Sequence, residues 1–362
     1  MKKLFLFMFI LLLSSNILFA QEVTKKGRVS GYMFGDFFYN AARDVDINSL
    51  SNTANGGRKD LNGIQLRRIY FTYDYDISEK FVTRFRLEAD QEANTSNGKI
   101  GVFVKDAYLQ WKNIFKGSDF IFGVQPTPSF EISETFMAER YLEKTIMDLR
   151  GFESSRDLAV SLKGNLDSKG ILKYWLMVGD GSGNKPETDK YKRFYAHLQY
   201  SPFSNFTTTL YTDLKSRPDI KDPFNPTSSL SNNDLTYAFF AGYKEKNKFM
   251  AATEIFLSSR QNDIISGGSV KNKNAFGITL TGSYYFSQQI SFLIRYDYFD
   301  PNVNSNYKGD SRNFFIFSLN YYPDEKVTIS PNVVVETYEA TPNGKSFNAS
   351  ITPRITFFYS FL

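Results

Sequence analysis

Apolar and polar side chains alternate along this chain with a period of two, in segments of about ten residues, the length of a tilted membrane-spanning strand. From Phe81 to Asp90 one parity reads Phe81, Thr83, Phe85, Leu87 and Ala89, the other Val82, Arg84, Arg86, Glu88 and Asp90. Phe194, Ala196, Leu198 and Tyr200 alternate with Arg193, Tyr195, His197 and Gln199. Phe292, Ile294, Tyr296 and Tyr298 alternate with Ser291, Leu293, Arg295 and Asp297. Successive side chains of a strand point to opposite faces, whereas a helix repeats at 3.6 residues. The pattern therefore predicts strands with one apolar and one polar face.

The connections alternate too. Short ones fall at 76–80, 115–117, 166–170, 201–204, 244–247, 287–289 and 323–325. Long polar ones fall near 40–62, 91–99, 126–156, 180–190, 214–234, 258–273, 300–311 and 339–347. Seven short turns and eight long loops predict about 16 strands, with short turns on the periplasmic side and long loops outside. Tyr73 and Tyr75, Tyr284 and Tyr285, and Tyr321 and Tyr322 sit near strand ends, where interfacial aromatics belong. Ile355, Phe357, Tyr359 and Phe361 make the last segment aromatic-rich.

Composition decides what the apolar face meets. Aromatics make up 17% of the residues, yet mean hydropathy is −0.35 and no run of 18 apolar residues follows Ala20. A soluble sandwich would hide its apolar face in a core built from shorter strands. A transmembrane barrel turns that face to lipid and the polar one to its lumen. The expected fold is thus all-β: a transmembrane antiparallel β-barrel of about 16 strands with an inward-folded third loop.

Lys2 and Lys3 precede an apolar stretch from Leu4 to Leu13, and Ser14, Ser15 and Asn16 lead to Ala20, the layout of a signal peptide over 1–20. The barrel then occupies 21–362, in the bacterial outer membrane. Without Lys2 and Lys3, 41 basic residues face 38 acidic ones, a net +3 that is no nucleic-acid footprint. The absence of Cys rules out disulfides and thiolate chemistry, and a single His, His197, argues against zinc sites and catalytic triads. No cofactor, no metal and no enzymatic activity are expected.

An Arg or Lys facing the bilayer midplane would cost roughly 2–4 kcal/mol, so strand charges should point inward. That rule assigns Arg68, Arg84, Arg86, Lys163, Lys173, Arg193, Arg295 and Arg354 to the lumen as cations. Asp74, Glu88, Asp90, Asp106, Asp157, Glu254, Asp297 and Glu336 are the anions, and His197 joins the pore lining. These groups either set ion selectivity or pair with one another across strands.

The segment 126–156 is unusually long for a connection. Ala138 to Asp148 contains good helix formers, predicting a short amphipathic helix. Folded inward, the loop would constrict the lumen. Its charges lean acidic: Glu131, Glu134, Glu139, Glu143 and Asp148 against Arg140, Lys144 and Arg150.

Several short strings in serial order resemble the phosphate-selective porin O/P family. They are Gly123-Val124-Gln125-Pro126 with Phe130-Glu131, then Phe136-Met137-Ala138-Glu139-Arg140. Arg156-Asp157-Leu158-Ala159-Val160, Lys105-Asp106-Ala107-Tyr108, and Arg295-Tyr296 with Asp300-Pro301 complete the set. The resemblance implies a 16-stranded trimeric porin with the third loop folded inward. His197 stands where such proteins commonly present an Arg, and the lumenal charges here are balanced, which departs from a phosphate-selective pattern.

The leading function is therefore a passive channel for small polar or ionic solutes, including anions such as phosphate, in contact with outer-membrane lipid and trimeric. The competing readings are a non-conducting accessory subunit of a larger assembly and an outer-membrane hydrolase. His197 sits in mid-strand on the lumenal face, away from lipid substrates. Gly179-Asp180-Gly181-Ser182-Gly183 reads as an exposed loop, because no helix follows it as a phosphate-binding loop requires.

Overall fold

The computed structural model describes residues 27–46, 57–304 and 309–361, apart from the side chains of 91–94; the segment read as a signal peptide lies outside them. Eighteen strands follow in chain order: β1 (Gly27–Tyr39), β2 (Asn62–Asp76), β3 (Phe81–Asn94), β4 (Ile100–Phe115), β5 (Ser118–Pro126) and β6 (Arg156–Asn165). Next come β7 (Leu172–Gly179), β8 (Arg193–Phe203), β9 (Phe206–Lys215), β10 (Ile220–Lys221), β11 (Ser229–Leu230) and β12 (Asp234–Glu245). The last are β13 (Phe249–Ser266), β14 (Ser269–Tyr285), β15 (Ile290–Asp300), β16 (Arg312–Asp324), β17 (Val327–Tyr338) and β18 (Ser350–Phe361).

All but β10 and β11 form one closed antiparallel barrel of 16 strands, each paired with its neighbour in sequence. A seam of β1 on β18 closes the ring, in register from Gly31 opposite Phe361 to Phe38 opposite Arg354. Closure leaves no strand edge, which the hydrocarbon interior demands because nothing there replaces a missing backbone partner. β10 and β11 pair only with each other, inside the loop between β9 and β12.

Alternation along each strand does what the sequence predicts. Phe85, Phe122, Leu176, Leu210, Leu257, Leu280 and Ile355 point outward and are exposed, while inward Glu88, Asp106, Trp175, Glu254 and Arg354 are buried. All seven short turns lie at one end of the barrel. Tyr284 and Tyr321 face out there, whereas inward Tyr285 and Tyr322 stack on each other at 6.2 Å.

Two loop boundaries differ from expectation. The stretch 258–273 is largely ladder: β13 and β14 stay paired to Ser266 opposite Ser269, with a break in register between Arg260 and Ile264. β3 likewise continues to Asn94. Polar residues there reflect strands rising clear of the membrane rather than loss of pairing.

The segment between β5 and β6 folds inside the barrel. It carries two short helices, α1 (Glu131–Met137) and α2 (Ile146–Leu149). The helix predicted over 138–148 is absent as such. α1 ends where Ala138 turns left-handed, at φ 58°, and the carbonyls beyond it are taken by wall arginines, as described next.

Candidate functional site: the loop and the lumenal wall

Apolar packing seats the loop against most of the ring. Phe130, Ile146 and Met147 bury themselves among Ala159, Trp175, Met177, Tyr195, Tyr211, Phe256, Ala275 and Phe299, from β6 to β9 and β13 to β15. Tyr141 and Leu142 pack on Phe34, Tyr70, Leu293, Phe314, Ile316 and Val334, across β1, β2 and β15 to β17. Met137 meets Phe240, Met250 and Ala252 of β12 and β13. Apolar residues at lumenal parity are thus the floor on which the loop rests.

Arginines lock the remaining backbone. Arg67 donates to the carbonyls of Tyr141 and, at 2.9 Å, Leu142. Arg354 reaches the Leu142 carbonyl at 3.0 Å and is oriented by Asn332 at 2.9 Å. Arg295, held on Asp297 at 2.6–2.8 Å, donates to the Lys144 carbonyl at 2.5 Å. Carbonyls committed to wall guanidinium groups cannot serve an i→i+4 helix ladder, which explains the interrupted helix. Arg150 of the loop meets Glu336 of β17 at 2.7 Å with both side chains fully buried. Glu153 pairs with Arg193, which also holds Asp213 at 2.7 Å.

The sector from β2 to β6 differs. Here Arg84 is held bidentately by Asp74 at 2.7 and 3.0 Å. Arg86 bonds Thr72 at 2.8 Å and lies 3.4 Å from Asp106, which Arg156 also contacts. Opposite them stands the acidic edge of α1: Glu131 lies 3.6 Å from Arg156, and Glu134 3.2 Å from Arg140. Both glutamates keep about a third of their side chains accessible, at 33% and 31%. Above them Arg68 holds Glu88 at 2.7 Å and Asp90 at 2.8 Å, and Lys105 holds Glu88 at 2.9 Å.

Every strand residue chosen from the sequence turns inward, but the groups do different things. Arg295, Asp297, Glu336, Arg354 and Arg193 fasten the loop or brace its fasteners. Arg68, Arg84, Arg86, Glu88 and Asp106 form a paired lattice on the β2–β4 wall. Lys163 lies over the Trp175 ring at 4.8 Å, and Lys173 is exposed near the turn end. Buried His197 sits between Trp175 and Tyr211 in the strand register. It shares a small gap behind α1 with Ser133 and Glu254. Of the loop residues, Glu139, Arg140 and Glu143 border another small gap beside Leu293 and Arg295.

Parity reasoning did not select Arg67 or Lys105 as lumenal, although both face inward. Each is the extra residue of a β-bulge: the register skips Arg67 between Arg68 and Leu66, and Lys105 between Asp106 and Val104. A bulge puts two adjacent residues opposite one and upsets the alternation locally. Asp36, in an aromatic-rich stretch, and Asp213 and fully buried Arg312, at strand ends next to the long polar stretches 214–234 and 300–311, were missed as well.

The family-like strings fall largely on the supports of the loop. Gly123 has φ 129°, and a Cβ there would lie 2.2 Å from the Ala107 carbonyl oxygen, so only glycine fits. Gln125, fully buried, donates to the Ala159 carbonyl at 2.9 Å and accepts from Ser161. Asp157 accepts the Gly181 and Gly183 amides at 2.8 and 3.3 Å and the Tyr195 hydroxyl at 2.8 Å. The glycine-rich connection is therefore pinned at the lumen mouth rather than freely exposed.

Above the loop opens a vestibule of about 770 Å³. Besides the fully buried Arg150, its wall presents nine cationic side chains, among them Arg193, Lys215, Arg217, Arg260 and Lys273, against six anionic ones. Arg217 and Arg260 share one carboxylate, Asp234, at 2.6 and 2.7 Å.

A closed 16-stranded ring with an inward third loop, an apolar outer band and a charged interior has the architecture of the outer-membrane porins. No family model and no curated protein matches the sequence. Solved structures do match along nearly the whole chain. The outer-membrane channel DcaP of Acinetobacter baumannii superposes with a TM-score of 0.67 at 11% identity, covering 95% of this chain and 99% of that one. An anion-selective porin from Comamonas acidovorans gives 0.62 at 9% identity, over 93% and 100%. Salmonella typhi OmpF gives 0.61 at 11% identity, over 93% and 98%. At such identities the likeness establishes the fold, one shared with bacterial outer-membrane channels.

Proposed function

We propose that this chain is a passive outer-membrane channel that favours small anionic solutes. The observation that carries the reading is the cation excess of the vestibule, nine basic side chains to six acidic once the buried Arg150 is set aside, at the mouth a solute would meet first. A mouth lined by one sign of charge raises the local concentration of the opposite ion. Solutes then pass through the β2–β6 sector, between Arg84 and Arg86 and the acidic edge of α1 at Glu131 and Glu134, where ordered partners of both signs act on a desolvating ion. Phosphate belongs to the anions such a path would admit; the balanced lattice of the open sector supports a general preference rather than a dedicated phosphate site. The assembly is a homotrimer on this reading, as for the trimer form of Vibrio cholerae OmpT, which shares the fold.

A second reading rests on the same loop. Its packing on β1, β2, β6 to β9 and β12 to β17 fills much of the lumen, which suits a closed barrel serving a larger assembly. Planar-bilayer recording under a KCl gradient separates the two. Steady conductance steps with an anion-selective reversal potential are expected; a folded, inserted and silent barrel would transfer the assignment to the accessory role.

A further inference from the structure

The outer wall carries a groove that the channel reading does not use. On β12 to β15 the strand register lays Tyr243, Ala251, Gly282 and Ile294 in one outward row. Ala241, Thr253, Leu280 and Tyr296 form the row above. The small side chains Ala241, Ala251, Thr253 and Gly282 form the floor. Tyr243 with Phe206 walls one side, and Leu280, Ile294 and Tyr296 the other. The groove encloses about 580 Å³, within the range of sites that hold small molecules.

Nothing in the fold requires the floor to be this low. Gly242 and Gly277 point inward, where a Cβ would strike the rings of Phe136 and Phe256. Gly282 points outward, and a Cβ there would meet nothing closer than 3.7 Å. A strand-interior glycine without a steric reason weakens the strand and leaves backbone open to close approach by another group.

Depth and charge define the occupant. Ala251 is two residues, roughly 7 Å of strand, above Phe249 at the turn end, placing the groove in the inner-leaflet half of the wall. Below it stand exposed aromatics, Phe249, Tyr284 and Phe286, at the level where headgroups begin. The turn directly beneath, between β12 and β13, carries Lys246 and Lys248, two lysines where no other short turn has more than one, and Lys244 stands near the end of β12. Lys244 is turned toward the Phe136 carbonyl inside, whereas Lys246 and Lys248 are exposed, Lys248 in a solvent-accessible pair with Glu245 that a headgroup phosphate would have to compete with.

We propose that this groove is a site for one anionic phospholipid of the inner leaflet, its acyl chain on the Ala251–Gly282 floor and its phosphate at Lys246 and Lys248. The site rests on the membrane orientation of the barrel and not on whether the lumen conducts. Each lysine near an anionic headgroup should contribute about fivefold to retention.

Native mass spectrometry of the full barrel, titrated with dioleoylphosphatidylglycerol or dioleoylphosphatidylcholine, tests this. One phosphatidylglycerol per barrel should persist in preference to phosphatidylcholine. The A251L/G282L variant, which fills the floor, should lose the retained lipid, and K246E/K248E should abolish the headgroup preference. Heat-dependent gel mobility verifies that each variant is folded. Equal retention of both lipids by the unmodified barrel, or undiminished phosphatidylglycerol retention by A251L/G282L, would overturn the site. So would a lipid-free groove whose filling lowers the number of chains per particle, since the occupant would then be a second copy.

Discussion

The inward loop meets the barrel wall in two unlike ways. Along β12 to β18 and β1 it is clamped by apolar burial, guanidinium-to-carbonyl bonds and one ion pair with both partners fully buried. Across β3 and β4 no apolar cluster among the described residues joins it to the wall, and charges of opposite sign face each other. The first arrangement is stiff because removing any partner strands a buried polar group. In the second, Glu88 and Asp106 are buried among their cations, while Arg84, Asp74, Glu131 and Glu134 keep access to solvent, where such pairs are worth little to stability. On the channel reading, one connection thus serves as both a fixed partition and one edge of a passage.

The largest test strikes the clamp. R150A or E336A breaks a fully buried ion pair and should lower unfolding stability by about 3–5 kcal/mol, whereas R150M/E336M should lose less than either single change. Urea unfolding followed by tryptophan fluorescence reads both, and a small loss in the single variants would mean the pair is not holding the loop. Next comes R354A, which removes bonds to Leu142 and Asn332. A loss of about 1.5–3 kcal/mol is expected for such charge-assisted bonds, together with noisier single-channel current. R354K should not restore quiet current, because an ammonium lacks the guanidinium fork.

Changes on the other side should leave stability almost untouched and alter transport instead. E131Q and E134Q should stay within about 1 kcal/mol of the parent yet move the reversal potential toward stronger anion preference. R84A and R86A should move it the other way. If all four leave selectivity unchanged, ions do not pass along this sector, and the contrast between partition and passage fails.

The smallest effect lies outside the membrane. Burial, reinforced by the nearby Asp300 charge, lifts the Asp310 carboxyl from 3.8 to about 6. A raised acid pKa favours the protonated form in the folded loop, so its contribution is present at low pH and fades as pH rises through 6. The thermal midpoint should therefore decline slightly from pH 4 to pH 7, and D310N should flatten that slope.

Much of this architecture was legible in the residues. Alternation and the turn positions gave strand number and facing, because a period of two survives wherever one face meets lipid and the other charge. The loop gave its boundaries, Pro126 and Arg156, but not its internal helices. A helix signal at Ala138 to Asp148 was overruled by arginines more than 70 residues away in sequence, which no local window contains. Arg67 and Lys105 escaped because bulges break parity. Phe256, Phe299 and Phe314 gave no hint of being a seat for the loop, since apolar residues on both faces of a strand look the same whether the inner face touches solvent or a packed partner. The charges were found as a set, yet their division into fasteners and lattice needed three dimensions.

The seam between β1 and β18 has a consequence for how the molecule is made. Every other barrel ladder joins strands that are neighbours along the chain and can form as a hairpin grows or by short docking. This one joins residues 31–38 to residues 354–361, so the ring stays unsealed until more than 300 intervening positions have been placed. Until then two edges of unpaired backbone would face hydrocarbon at several kcal/mol per group. Assembly must therefore keep those edges covered by something other than the chain itself, and sealing is the all-or-none final event. A variant that weakens the seam, such as a proline at Phe357, should be lost during biogenesis rather than appear as a barrel that melts early.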